Sequence, residues 1–112
     1  MNRVLKSFGW AINGLKTVWR EERNFKIEVI IAILVVISAY IADFAEWQWI
    51  LLILIIGWVL MSEIVNTAVE DVCNKIEPNQ DSAIGKVKDI MAGYVLISSI
   101  SAFLAGFLLF LS

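Results

Sequence analysis

The segment MSEIVNTAVEDVCNK, residues 61–75, sets Glu63 and Glu70 seven positions apart with Asn66 and Thr67 between them. On an α-helix seven residues fall about 20° short of two turns, so the two carboxylates share one line about 10 Å long. Asn66, Thr67 and Asn74 continue that face. One side of this helix is therefore a ladder of oxygen-bearing groups. Glu63 directly follows an apolar run, where a carboxylate costs roughly 3 kcal/mol unless it is paired, hydrated or protonated. A solvated helix end with interhelical hydrogen bonds from Asn66 and Thr67 would also account for the pattern. It explains Glu70 and Asp71 more easily than Glu63.

Other charged groups gather on the same side of the apolar runs. Glu21, Glu22 and Glu28 surround the start of the first run, and Lys86, Lys88 and Asp89 precede the third. Histidine is absent, so acid–base or metal chemistry falls to carboxylates. Carboxylates with nearby lysines and arginines suit Mg²⁺ held together with phosphates better than zinc. Phosphoryl transfer needs little more than a metal, cations on the phosphates and a base aimed at the attacking hydroxyl. There is no Walker motif, kinase glycine loop, HRD or DFG sequence, which excludes the usual kinase folds. Cys73 is the only cysteine, so no intrachain disulfide is expected, and it reads as a reduced filler residue.

The elements that position these groups follow from composition. The 112 residues are 60% hydrophobic, far above the roughly 45–50% of soluble domains, which predicts an integral-membrane protein. Three apolar stretches, Ile27–Ala42, Trp47–Ser62 and Ile90–Leu111, approach the ~20 residues that cross hydrocarbon. A single domain over 1–112 is predicted: an amphipathic surface helix at 1–24, then spans at 27–43, 47–73 and 88–111. A cytoplasmic loop at 74–86 holds Pro78 and turn residues Asn79, Asp81 and Ser82, with Ser82 or Asp81 as a helix cap. No soluble domain, cleaved signal or nucleic-acid partner is expected. In the first segment Val4, Phe8, Ala11, Ile12, Leu15, Val18 and Trp19 share one face, as in an interfacial anchor. Arg3, Lys6, Lys16, Arg20, Arg23 and Lys26 precede the first span, and Lys75, Lys86 and Lys88 follow the second. That bias puts the N-terminus and the second loop in the cytoplasm, in a multi-pass protein of the cell inner membrane. Ser98, Ala102 and Gly106 form a small-residue stripe that permits close helix approach and self-association.

With SFGWAINGLK, EERNFKIE, EIVNTAVE and KVKDIMAGYVLI assembled, the sequence resembles the prokaryotic integral-membrane diacylglycerol kinase and undecaprenol kinase family over nearly its whole length. The resemblance implies an all-α trimeric helical bundle with active sites shared between neighbouring subunits at the cytoplasmic boundary. It implies Glu63 as general base toward the lipid hydroxyl, and Glu22 and Glu70 as carboxylates for Mg²⁺ with ATP. Asn66 falls on the signature asparagine, Lys88 and Asp89 on an ATP-contacting pair, Arg3 on an N-terminal arginine at the nucleotide and lipid site, and Trp10 on an aromatic near the nucleotide. Glu28 matches an acidic position kept in part of the family. The sequence departs at Asn74, where many members carry Asp, and at Asp81, in a segment with Asn79 and Gln80 where histidine is frequent and which helps hold the nucleotide. Met91 and Tyr94 are bulkier than the residues usual there. ERNFKIE and the short N-terminus look more like the undecaprenol branch. The leading expectation is a lipid kinase acting on undecaprenol or diacylglycerol. A small proton-coupled multidrug-type transporter, which requires four spans and a glutamate deep in the first, and a non-catalytic membrane scaffold are the alternatives.

Overall fold

The computed structural model describes residues 2–77, 79 and 81–112. Met1, Pro78 and Gln80 lie outside the described residues, and with them the expected turn proline and the nucleotide contact of Gln80. The described residues form four helices, α1 (Asn2–Glu21), α2 (Arg23–Ile41), α3 (Glu46–Ile76) and α4 (Ser82–Leu111). Helices α2, α3 and α4 are each long and apolar enough to cross a membrane. The 31 and 30 residues of α3 and α4 correspond to about 45 Å, more than the ~30 Å of a hydrocarbon core. The surplus of both helices lies at the end that carries their charged residues.

Three corners connect the helices. Between α1 and α2 the chain breaks at one residue, Glu22, whose φ of −110° and ψ of 107° are extended while its N–H still reaches Val18 O at 2.8 Å. Trp19 and Phe25 meet edge-on across this corner at 6.5 Å, and Lys26 Nζ lies 5.9 Å from the Trp19 ring centre. The first helix therefore ends three residues before the expected boundary at 24, because Val18 and Phe25 bury themselves by bending the chain between them. Between α2 and α3, Asp43 adopts a positive φ of 59°, a conformation that Asp tolerates. Phe44 folds back from that turn, 4.7 Å from Phe110 and 5.9 Å from Trp49.

The third corner is shorter than the expected 74–86 loop, since α3 runs on to Ile76 and α4 starts at Ser82. Asp81 causes this: its Oδ1 accepts from Ala83 N at 2.7 Å and Ile84 N at 3.3 Å, an N-cap that satisfies two free amides. A carboxylate spent on a cap accounts for Asp81 without a nucleotide.

Packing is most extensive between α3 and α4, lighter between α2 and α3, and slight between α1 and α2. Ala39, Phe44, Leu52 and Leu109 form the buried cluster at the end opposite the charged residues. Most other large apolar side chains face outward, as lipid contact requires. Ser98 of the small-residue stripe is used within the chain, donating to Ser62 Oγ at 3.0 Å. Ala102 and Gly106 line a cavity of about 600 Å³ between α2, α3 and α4.

Buried Gln48 clamps the far end of the α3–α4 pair. Its Oε1 accepts from Ala45 N at 2.8 Å, while its Nε2 donates to Leu109 O at 3.2 Å and Ser112 Oγ at 3.3 Å. Gln48→Leu deletes all three bonds, a cost of about 1–3 kcal/mol, while Leu109 O keeps Ser112 Oγ as a donor at 2.7 Å. A lowered unfolding midpoint in detergent micelles is expected, and an unchanged midpoint would show that the clamp stabilises nothing.

Candidate functional site

Three helices bring their polar groups to one level. Counted along the axes from the opposite ends at Ile41, Glu46 and Leu111, Glu22, Glu63 and Lys88 stand about 28, 26 and 35 Å away. These positions bracket one edge of a ~30 Å hydrocarbon layer. The carboxylates and the lysine therefore sit where a lipid headgroup meets water.

Glu63 is 1% exposed, and its Oε2 has no hydrogen-bond partner among the described residues. The Asn24 side chain lies beside its carboxyl. Its backbone carbonyl accepts from Thr67 Oγ1 at 2.9 Å, so the polar ladder is partly spent on its own helix. A buried carboxyl with an orphan oxygen calls for an explanation beyond stability, and a proton or substrate acceptor is the natural one. Glu28, at the start of α2, lines the 600 Å³ cavity, lies within electrostatic reach of Glu63 and also carries a buried oxygen without a partner among the described residues.

Glu22 occupies the α1–α2 corner at the N-cap of α2, yet its side chain makes no capping bond. Partial burial, followed by the negative charges of Glu63, Glu70 and Asp71, raises its carboxyl above the ordinary value of 4.5. The α2 dipole favours a charged carboxylate at this end, so burial and repulsion outweigh it. Glu21 is also raised, chiefly by a hydrogen bond shared with Asp71 and by that residue's charge. Carboxyls of Glu21 and Glu22 at the α1–α2 corner and of Glu63, Glu70 and Asp71 on α3 thus lie within electrostatic reach of one another.

No group of three acidic or cysteine side chains forms a closed cation cage among the described residues. Glu22 and Glu70 lie within electrostatic reach of each other on neighbouring elements. Two carboxylates from neighbouring elements are donors of the kind that Mg²⁺ takes together with phosphate oxygens and water, so the residues present fit that group.

Lys88 Nζ donates to Asn74 Oδ1 at 2.8 Å, which aims the ammonium without neutralising it, as an Asp would. Asp89 is the exposed next residue, and Asn66 is half-buried on the Glu63 helix. Arg3 and Trp10 are exposed on α1, about 28 and 18 Å along the chain axis from Glu22. The chain brings together Glu22, Glu63 and Glu70, with Lys88 at the border, and leaves Arg3 and Trp10 apart. Sequence reasoning overlooked Asn24, although its four-residue spacing from Glu28 places both on one face of α2. Glu21 of α1 and Asp71 of α3 lie within reach of each other. The transporter alternative finds no support: the described residues provide three candidate spans rather than four, and Glu63 lies in the second.

Residues 9–110 match the model of the family described as prokaryotic diacylglycerol kinase. The chain is 31% identical over 111 residues to an undecaprenol kinase of Bacillus subtilis (strain 168), covering 99% of this chain and 90% of that protein. It is 32% identical over 100 residues to a diacylglycerol kinase of Escherichia coli (strain K12), covering 89% and 82%. A diacylglycerol kinase of Helicobacter pylori (strain ATCC 700392 / 26695) is 32% identical over 100 residues, covering 88% and 77%.

The raised Glu22 carboxyl has a measurable consequence for stability. The folded protein holds this proton more tightly than the unfolded chain, so the group's contribution is lost as pH rises from 4.5 through the folded value. Without divalent cations, Glu22→Gln is expected to unfold at a higher temperature than the native protein at pH 7.5, with the difference gone at pH 4. A variant less stable than the native protein at pH 7.5 would contradict this electrostatic picture.

Proposed function

The chain belongs to the prokaryotic diacylglycerol kinase family, and from that premise we propose that it transfers the γ-phosphate of ATP to the hydroxyl of a membrane lipid alcohol at the cytoplasmic boundary. The observation that carries the assignment is Glu63, a buried carboxyl with an unpartnered oxygen at the depth of a lipid hydroxyl. Glu63 takes the proton of the lipid hydroxyl as its oxygen attacks the γ-phosphorus. The bond to the β–γ bridging oxygen breaks, and ADP leaves with the electron pair. Glu22 and Glu70 would hold Mg²⁺, which offsets charge on the phosphates when bound. Lys88, held by its amide partner Asn74, bears on the phosphates. Asn66 and Asp89 complete the nucleotide side.

Arg3 and Trp10 enter this scheme only through assembly. Both stand well away from Glu22 along α1 of their own chain, so they reach a nucleotide site on a neighbouring copy. A homotrimer with shared sites meets that requirement, with α1 lying along the cytoplasmic membrane surface and the N-terminus in the cytoplasm. Undecaprenol is the first substrate candidate, because the undecaprenol kinase relative matches across 99% of the chain; diacylglycerol is the second.

Glu63→Gln keeps the shape and removes the base, and is expected to lower turnover by about 10²–10⁴-fold with ATP binding intact. Native-rate phosphorylation by the purified variant in lipid would exclude Glu63 as the base. Glu22→Gln and Glu70→Gln should each raise the Mg²⁺ concentration for half-maximal rate, and an unchanged requirement in both would exclude the metal assignment. Initial rates with labelled ATP on undecaprenol and on diacylglycerol identify the substrate, with undecaprenol expected to be the faster.

A further inference from the structure

Helices α3 and α4 run antiparallel and are joined by polar contacts at three levels of their seam. At one end Gln48 Nε2 donates to Leu109 O and Ser112 Oγ. In the middle Ser98 Oγ donates to Ser62 Oγ at 3.0 Å, and Ser62 passes its own proton to Val59 O at 2.8 Å. At the other end Lys88 Nζ donates to Asn74 Oδ1 at 2.8 Å. Gln48 precedes Ser62 by as many residues as Ser98 precedes Ser112, so both rungs describe one antiparallel register. A one-residue slip of α4 translates it by about 1.5 Å and turns each side chain by about 100°, which separates the serines.

The middle rung has the strongest bearing on chemistry. Ser62 immediately precedes Glu63, and Ser62 and Ser98 are each 2% exposed. In hydrocarbon neither hydroxyl finds water; Ser62 donates within its own helix, and Ser98 donates to the acceptor that the register supplies. The far rung at Gln48 lies about 21 Å away along α3, and the near rung is built from long side chains at the exposed helix ends. Ser62 and Ser98 are short, and their contact admits little slack.

We infer that Ser98, through its hydroxyl on Ser62, is a positioning residue for the transfer: it sets the α3–α4 register that places Lys88 of α4 relative to Glu63 and Glu70 of α3. Ser98 touches neither substrate. Its role rests on Lys88 contacting the nucleotide, as proposed above.

The experiment compares purified variants in lipid by their KM for ATP, KM for the lipid and kcat. Ser98→Ala is expected to raise the ATP KM about three- to tenfold with the lipid KM unchanged. A hydroxyl that matters only when left unpaired predicts impairment in Ser62→Ala, which strips Ser98 of its acceptor, but native behaviour in Ser98→Ala, where Ser62 keeps Val59 O, and in Ser62→Ala/Ser98→Ala. Positioning predicts that the double variant stays as impaired as the single one. In a Cys73→Ala background, Ser62→Cys/Ser98→Cys should form an intrachain disulfide in the folded protein and return the ATP KM to the native value. A native ATP KM for Ser98→Ala, or recovery in the double alanine variant, overturns the inference. Failure of the cysteines to cross-link in folded protein overturns the register itself, independently of activity. Lys88→Ala run in parallel separates the two levels: a native ATP KM there removes Lys88 from the nucleotide, whereas a raised one beside an unaffected Ser98→Ala removes only the positioning role.

Discussion

A carboxyl buried at the edge of the hydrocarbon is the constraint on which the rest of this structure depends. Glu63 is almost fully enclosed, and its Oε2 has no hydrogen-bond partner among the described residues. Every neighbouring feature is arranged with respect to it: the one-residue break at Glu22 turns a second carboxylate toward it, and Asn24 on the next turn lies beside it. A continuous helix from α1 into α2 would carry Glu22 past this point. The extended backbone of one residue therefore builds the site, and the apolar contacts of Val18, Trp19 and Phe25 hold that residue in place.

The α3–α4 pair supplies the rigidity that a two-substrate site needs. Apolar packing in a membrane gives helices little reason to prefer one register, because lipid tails are as apolar as leucine. Polar contacts do discriminate, since an unpaired hydroxyl or amide in hydrocarbon has no water to fall back on. Gln48, Ser98 and Lys88 mark three levels of one seam, and the Asp81 cap fixes where α4 begins. The α2 helix, which packs more lightly, leaves the 600 Å³ cavity open beside Glu28. The open side borders Glu28, and the rigid pair carries Glu63 and Glu70.

Much of this was legible in the residues themselves. The three spans followed from apolar length, and the alignment of Glu63 with Glu70 followed from helical periodicity, because both signals are local. The corners were less legible. The Glu22 break carries no Gly or Pro, since it is enforced by aromatic packing between residues on either side, a tertiary effect that no propensity records. The short second loop was hidden because Asp81 serves equally well as a loop residue or a cap, and only backbone geometry decides. Ser98 read as part of a self-association stripe, since spacing shows that a small residue permits close approach but not which helix approaches.

The separation of Arg3 and Trp10 from the carboxylates carries a consequence for how such a small chain can work. With α1 a continuous helix from Asn2 to Glu21, its first turn cannot fold back onto the Glu22 corner without breaking hydrogen bonds along its length. A bend at Glu22 swings the whole helix as a rod about that corner, and the rod's far end describes an arc of about 28 Å radius. Arg3 at that end, and Trp10 partway along the rod, therefore stand away from the carboxylates of their own chain. One helix break thus has two effects: it places Glu22 beside Glu63, and it carries the first turn of α1 beyond the reach of its own site.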